Sequence, residues 1–242
     1  MSSPLRRRLR RIRWLRRIVV QHVYLWRILR QRWFGNIAES ADHSHRTQEW
    51  DFTTPEVAER NRIIFVQLEK LYGPLHAADV FELGCADGIF TLELAARAKK
   101  VVAADISSIG LERARERCVG KTNIELVQMD ILKSAPQGKY HVIFAMDVLE
   151  FLHGRAQLAH ASKLLKHTLD VNGILVVSSC RAQELLRDAY WQNAFPEGGD
   201  AHLAFLGRQK GWQLMHVELH PADGQDLPGY NAHILGFFRK VY

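Results

Sequence analysis

The stretch Ala78-Asp-Val-Phe-Glu-Leu-Gly-Cys-Ala-Asp-Gly-Ile-Phe90 decides the fold. It begins with an apolar run, Val80 to Leu83, which is typical of a buried strand. Gly84 and Gly88 follow, and a helical pattern extends from Ile89 to Ala98. A strand, a glycine turn and a helix in this order place backbone N–H groups and a helix N-terminus against a ligand.

The residues of the turn distinguish between two nucleotide cofactors. A dinucleotide requires the third glycine of G-x-G-x-x-G, which admits a pyrophosphate. Here Glu82 precedes Gly84, Ala86 and Gly88, and a carboxylate repels phosphate but suits a cationic amino-acid group. S-adenosylmethionine carries an ammonium and a sulfonium and no phosphate, so the turn favours it over a nicotinamide dinucleotide. A strand-turn-helix unit without a ligand is the alternative.

Each of the next three predicted strands also ends in a carboxylate. Asp105 lies where a ribose-binding acid is expected. Asp130 is placed to accept a hydrogen bond from an adenine amino group, and Ile106 and Ile131 would sandwich the adenine ring. Asp147 ends the following strand. A single Asp at a strand end is usually a helix cap, but acids at successive strand ends indicate a shared ligand.

These acids and the glycine turn resemble the successive motifs of class I S-adenosylmethionine-dependent methyltransferases. The motifs are Glu82-Leu-Gly-Cys-Ala-Asp-Gly88, Ala104-Asp105, Gln128-Met-Asp130 and Ala145-Met-Asp147-Val-Leu-Glu150. Within this superfamily the chain resembles the nodulation protein S type, which N-methylates a chitooligosaccharide amine. That likeness also includes Trp50, Glu59-Arg60-Asn61-Arg62 and Ser178-Ser-Cys-Arg181. The resemblance implies S-adenosyl-L-methionine as the cofactor, held by Trp50, Arg60, Glu82, Gly84, Cys85, Ala86, Gly88, Asp105, Ile106, Asp130, Ile131 and Asp147.

Helices and strands alternate after the glycine turn, which predicts an α/β fold with a parallel sheet covered on both faces. The predicted helices are 55–72, 89–98, 109–117, 155–170, 181–189 and 200–210, and the predicted strands are 80–83, 101–105, 123–128, 140–146, 173–179, 212–219 and 232–240. This is a doubly wound, Rossmann-like, seven-stranded, mostly parallel sheet. The resemblance implies that the last strand is antiparallel.

The basic charge of the chain is concentrated at its N-terminus. Residues 1–38 hold eleven arginines and no acid, so 22 of the 33 basic residues remain against 26 acids, a charge of −4 for the rest. Apolar residues recur every three or four positions between Leu5 and Trp33, which predicts a basic amphipathic helix over 1–34. Such a helix suits an anionic membrane surface. RNA, a partner protein and an organellar transit peptide are alternatives, whereas the missing apolar run argues against a signal peptide.

Residues 35–48 are polar and are predicted to be a linker, so that 49–242 form the methyltransferase domain. The three cysteines are scattered without a C-x-x-C pair, which supports neither a disulfide framework nor a zinc site. We expect no metal, since His43-x-His45 in the linker is more typical of solvated histidines. A cytoplasmic location follows, peripheral at the inner membrane surface if the basic helix binds there.

Methyl transfer requires an aligned acceptor whose lone pair is exposed. Asp147 is the predicted catalytic group, with His153 and His202 behind it, and a helix cap is the alternative role for Asp147. The segment Asp147-Val-Leu-Glu150 lacks the Asn/Asp-Pro-Pro-aromatic turn of nucleobase methyltransferases, so nucleic acid is a less favoured acceptor. Trp191, Phe195 and Tyr230 are expected to line the acceptor pocket.

The predicted acceptor is an amine or hydroxyl of a small molecule or saccharide, including a membrane-associated glycan. An RNA-directed methyltransferase that uses the arginine-rich N-terminus is one alternative. A non-catalytic membrane or RNA adaptor that retains the fold is another.

Overall fold

A computed structural model describes residues 37–47, 51–152, 154–181, 198–221 and 232–242. The predictions for the basic helix over 1–34, for Trp50 and His153, for the helix over 181–189 and for the three pocket aromatics therefore lie outside the described residues, apart from Arg181.

A seven-stranded sheet forms the centre of the described structure. Its spatial order is β3-β2-β1-β4-β5-β7-β6. Pairing is parallel from β3 through β5, and β7 runs antiparallel to both β5 and β6. The strands are β1 Asp79–Leu83, β2 Lys100–Asp105, β3 Ile124–Gln128, β4 Tyr140–Met146, β5 Leu169–Cys180, β6 Trp212–His220 and β7 His233–Lys240. The predicted fold class, including the antiparallel last strand, is confirmed.

Alternating strand residues supply two separate cores, one on each face of the sheet. Val80 packs with Ile64 and Leu111 on one face, whereas its neighbour Phe81 packs with Leu165 on the other. The side chains of a strand point alternately to opposite faces, so each buried strand must be apolar at both positions. The helices are α1 Ile37–Thr47, α2 Pro55–Leu71, α3 Ile89–Ala95, α4 Ser108–Arg117, α5 Gly154–Thr168 and α6 Gly198–Gly207.

The predicted linker over 35–48 is wrong for residues 37–47, which form helix α1. Asp42 Oδ1 accepts hydrogen bonds from Ser107 Oγ at 2.6 Å and from the Ile109 N–H at 3.3 Å, at the start of α4. His45 is also buried, so the expectation that it is solvated is wrong. Polar contacts to a segment that is far away in the sequence hold this helix. Such contacts leave no apolar periodicity from which the helix could be predicted.

The predicted boundary between α5 and β5 is wrong by a few residues. The helix was expected to reach Asp170, but Leu169 already pairs with Tyr140 in the sheet. The register then shifts before Val142 pairs with Ile174, because Asp170 to Gly173 form an irregular stretch. In the described part of the chain, no helix is long and apolar enough to cross a bilayer.

Candidate functional site

The glycine turn after β1 has the backbone geometry that a close-approaching ligand requires. Gly84, Ala86 and Gly88 all have left-handed backbones, with φ of 80°, 49° and 83°. A Cβ at Gly88 would lie 3.1 Å from the Ala114 backbone, so that position needs glycine. Gly88 is also the N-cap of α3, so the turn ends at a helix N-terminus as predicted. The side chain of Cys85 is buried in the core, and its backbone N–H donates to the Ala104 carbonyl at 3.0 Å.

Glu82 lies buried beneath this turn. Its carboxyl accepts a hydrogen bond from Thr91 Oγ1 at 2.7 Å. Burial raises the pKa of Glu82 to about 8, although the Thr91 bond acts in the opposite direction. The carboxyl is therefore mostly protonated at neutral pH, and it turns into a carboxylate readily if a cation binds next to it.

Asp105 joins the glycine turn to the end of β2. Its Oδ2 accepts the Ala86 N–H and its Oδ1 accepts the Ser107 N–H, both at 2.8 Å. Burial raises the pKa of Asp105, although these two hydrogen bonds and the nearby His45 oppose the shift. A carboxylate has about four acceptor positions, and a third backbone hydrogen bond, from Ile106, also lowers the pKa of Asp105.

Asp130 follows the end of β3. It was predicted to bind the same adenine as Ile106 and Ile131. Asp130 Oδ1 accepts the Leu132 N–H at 2.9 Å, and Lys133 Nζ lies 3.2 Å from Oδ2. Ile131 is buried and belongs to one core, whereas Ile106 is half-buried. The adenine sandwich by the two isoleucines stays a prediction.

Asp147, at the end of β4, is the centre of a partly buried charged cluster. Its carboxylate forms an ion pair with Arg60 of α2, and Ser178 Oγ donates to it at 2.6 Å. His233 Nε2 of β7 lies 3.5 Å away. Burial acts to raise the pKa of Asp147, but the Arg60 and His233 charges and the Ser178 bond outweigh it and lower the pKa to about 2. Asp147 is therefore ionised at all physiological pH values.

Arg60 and Asp147 were both predicted to bind the cofactor, and they contact each other in this cluster. The Arg60 side chain is only 5% exposed, so its ion pair with Asp147 is not a surface salt bridge. Asp147 itself has a left-handed backbone with φ of 51°, which is uncommon for a residue other than glycine. Such conformations concentrate at functional sites.

A second group of hydrogen-bonded side chains lies beside the Asp147 cluster. Ser179 Oγ donates to Glu150 Oε2 at 2.7 Å and lies 3.3 Å from Nδ1 of the buried His202. Burial raises the pKa of Glu150 to about 8, and the Asp147 charge adds to this shift, whereas the Ser179 bond and the Arg60 charge oppose it. His202 therefore lies near the end of β4, beside Glu150.

Several residues of the site were not predicted as site residues, although the family likeness includes the two serines: Ser178, Ser179, His233, Asp42 and His45. Two serines that end the apolar run of β5, next to a strand that ends in Asp147, are a signal that could have indicated the first pair. His233 and the two residues of α1 have no such signal, because their partners are far away in the sequence.

The residues around the turn fit a phosphate-free adenosyl ligand. The side chains at the ends of β1, β2 and β3 are carboxyls, which can accept hydrogen bonds from hydroxyl and amino groups. The left-handed turn between them opens the backbone to close approach.

Comparison with known proteins finds one matching family and relatives with the same name. The family model for Nodulation protein S (NodS) matches residues 44–206. Nodulation protein S of Rhizobium tropici is 29% identical over 109 residues, 45% of either chain, and that of Azorhizobium caulinodans is 24% identical over 132 residues, 54% of this chain and 62% of that protein. The chain thus spans about half the length of these curated relatives.

A solved structure has a fold similar to that of this chain. The N-methyltransferase NodS from Bradyrhizobium japonicum WM9, in complex with S-adenosyl-L-homocysteine, superposes with a TM-score of 0.69 at 20% identity, over 83% of this chain and 98% of that one. The family match over 44–206, which agrees with this sheet order and these strand-end carboxyls, places the chain in the nodulation protein S family.

Proposed function

We propose that this chain uses S-adenosylmethionine to methylate an amine of a saccharide acceptor. The observation that carries the proposal is the gathering of carboxyls from β1 to β4 at one edge of the sheet, around a left-handed glycine turn. Ligands of open α/β sheets bind at the carboxyl ends of the strands, so we expect these groups to face one crevice. Similarity to proteins named Nodulation protein S and to a solved N-methyltransferase supports the choice of an amine.

Different residues of the crevice are expected to bind different parts of the methyl donor. Asp105 would hold the ribose hydroxyls, Asp130 the adenine amino group, and the turn with Glu82 the cationic amino-acid end. When bound, the donor supplies a methyl group on a positively charged sulfur. The protein then has to align the acceptor in line with the bond that breaks, and such alignment gives effective molarities of about 10⁵–10⁸ M.

Two carboxyls, Asp147 and Glu150, are expected at the acceptor end of the crevice. The Arg60 guanidinium balances the Asp147 charge, so the two carboxyls would act on an acceptor through hydrogen bonds, which suits the N–H groups of an amine. A de-N-acetylated chitooligosaccharide presents such an amine on a sugar ring. We therefore infer that the acceptor class is an amino sugar oligomer.

Turnover with a methyl-labelled donor tests the acceptor class. The acceptors are a chitooligosaccharide with one free amine, its fully N-acetylated form as the matched control, and tRNA. We expect label only on the free amine, because an amide nitrogen has no available lone pair. Label on tRNA alone would contradict the proposal and favour the RNA-directed alternative.

Calorimetry with S-adenosylhomocysteine tests the donor site independently of the acceptor. Asp105→Ala removes the carboxylate expected to hold the ribose, and we expect a loss of about tenfold to a hundredfold in affinity, since a hydrogen bond to a charged group contributes about 1.5–3 kcal/mol. Asp79→Ala is the control, because Asp79 lies at the opposite end of β1 and Lys99 is its partner at 3.7 Å. Equal affinity of both variants would contradict the assignment of Asp105 and favour a non-catalytic adaptor.

The location of the enzyme is part of the proposal. We infer that the basic segment over residues 5–33 binds an anionic membrane surface, so that the chain works at the inner face of the membrane on a membrane-associated glycan. Eleven arginines without an acid support this, since each cation near such a surface contributes about 1 kcal/mol. RNA remains the competing ligand of the segment.

A further inference from the structure

Two carboxyls three residues apart, Asp147 and Glu150, are held in opposite environments. A 3-10 turn over Leu149–Phe151 carries Glu150 back beside the end of β4. Consecutive residues of β5 then hold the two groups separately: Ser178 Oγ bonds Asp147 at 2.6 Å, and Ser179 Oγ bonds Glu150 at 2.7 Å. Since Ser178 and Ser179 point to opposite faces of the sheet, the carboxyls lie on opposite sides of its edge.

The partners of the two carboxyls differ in charge. Asp147 has the Arg60 guanidinium as an ion-pair partner and His233 beside it. Glu150 is bonded by the Ser179 hydroxyl, which also reaches His202 of α6. The charged groups that act on Glu150 are Asp147 and, at longer range, Arg60.

We propose that Glu150 is the general base that takes the proton from the acceptor ammonium, while Asp147, held by Arg60 and Ser178, is a positioning residue. This inference rests on the proposed function, because it assigns a proton acceptor for an amine substrate. Ser179 and His202 orient the Glu150 carboxyl and do not themselves touch the acceptor.

Proton affinity supports this division of roles. Burial and the Asp147 charge raise the pKa of Glu150 to about 8, whereas the pKa of Asp147 is lowered to about 2. A general base is most effective when its pKa lies near the working pH. Pairs of carboxyls whose environments separate their pKa values commonly divide acid–base roles in this way.

The step balances without another reactant. The Glu150 carboxylate accepts a proton from the ammonium, which leaves a neutral amine with a free electron pair. That pair forms the new N–CH₃ bond as the S–CH₃ bond breaks, and the electrons of the broken bond stay on sulfur as a neutral thioether. The product is a methylated ammonium, and Glu150 releases its proton to solvent.

The test is the pH dependence of turnover in the full chain with an amino-sugar acceptor. We expect Glu150→Gln to lower kcat by about 10²–10⁴-fold at pH 7, and the deficit to shrink as the pH rises, because the acceptor then arrives already deprotonated. Affinity for S-adenosylhomocysteine and the unfolding midpoint should change little. Glu125→Gln is the matched control, since Glu125 is exposed on β3 and paired with Lys100.

Ser179→Ala keeps the base but removes the bond that lowers the pKa of Glu150. We expect the midpoint of the rising limb of the pH–rate profile to move to higher pH, a change that a purely structural role would not produce. A Glu150→Gln profile parallel to that of the wild type, or an unmoved midpoint in Ser179→Ala, would overturn the inference while methyl transfer itself stood. Absence of turnover by the wild type with any amine would instead defeat the proposed function.

Discussion

The carboxyl groups of the site differ in charge. Burial raises the pKa of a carboxyl, whereas a neighbouring cation or a hydrogen-bond donor lowers it. Glu82 and Glu150 have raised pKa values, since desolvation dominates there. Asp147 has a lowered pKa because the Arg60 guanidinium and the His233 ring outweigh desolvation. A neutral Glu82 under the turn also avoids an unpaired buried charge until a cation binds.

The raised pKa of Glu82 predicts a stability that falls as pH rises. Between about 4.5 and about 8 the carboxyl is protonated in the folded chain and ionised in the unfolded chain, so unfolding releases a proton and higher pH favours it. We expect Glu82→Gln, which can still accept the Thr91 bond, to lose less free energy of unfolding than the wild type between pH 5.5 and pH 8. Urea unfolding at both pH values measures this difference.

The control for that experiment is Glu125→Gln on the exposed edge of β3, which should keep the slope of the wild type. An identical slope in all three proteins would show that Glu82 is ionised in the folded state, contrary to its burial.

At the scale of secondary structure elements, helix α1 and the start of α4 hold each other in place. Asp42 bonds the first turn of α4, and Ser107, the N-cap of α4, is bonded to Asp42 and to the Gly110 N–H. His45 Nε2 would lie 2.9 Å from a Cβ at Gly110, with Ala86 O at 3.2 Å. The ring of His45 therefore fills the space between α4 and the glycine turn, close to Asp105.

This packing predicts opposite effects of two glycine substitutions in helices. Gly110→Ala should lower the free energy of unfolding by about 1–3 kcal/mol, because the added methyl overpacks against His45 and a backbone carbonyl. Gly207→Ala, at the end of α6, should be neutral or stabilising by up to about 1 kcal/mol, since its nearest neighbour would be Phe238 at an ordinary 3.9 Å.

Chemical denaturation of both variants measures the difference, and calorimetry with S-adenosylhomocysteine shows whether α1 also supports the donor site. Equal stability of the two variants would mean that α1 does not pack tightly on Gly110.

At the scale of the whole molecule, charge is divided between a basic segment and a mildly acidic remainder. Outside residues 1–38 there are 22 basic residues against 26 acidic ones. The basic segment suits an anionic surface, whereas the remainder of the chain carries a small excess of acids.

The charge division predicts where membrane binding is lost. Substitution of five N-terminal arginines by glutamine should abolish co-sedimentation of the full chain with phosphatidylserine vesicles, because each cation contributes about 1 kcal/mol near such a surface. The five positions are Arg6, Arg7, Arg8, Arg10 and Arg11. A control with equal net charge changes five exposed cations of the domain to glutamine: Arg97, Lys99, Lys100, Lys121 and Lys133.

We expect the control to bind anionic vesicles like the wild type and neither protein to bind phosphatidylcholine vesicles. Binding of the wild type to tRNA but not to vesicles would favour the RNA alternative, and equal loss in both variants would show that net charge alone is responsible.

The sequence by itself determined the elements that local patterns encode. The apolar runs predicted the strands, the glycines at 84 and 88 predicted the turn, and the acids after successive strands predicted one shared edge, because parallel strands end on the same side of a sheet. These features depend on neighbours within a few residues or on the regular geometry of a strand. The sheet order and the antiparallel β7 agree with the resemblance that those motifs carry.

Only the tertiary structure decided which carboxyl is charged and what holds it. Arg60 meets Asp147 across 87 residues, and the Asp42 carboxylate caps a helix 65 residues away. Pairs at such separations leave no periodic pattern in the sequence, and a pKa depends on burial and on charges that folding brings together. For this reason the position of Asp147 was predictable, whereas its ion pair, the distinct state of Glu150 and the burial of His45 were not.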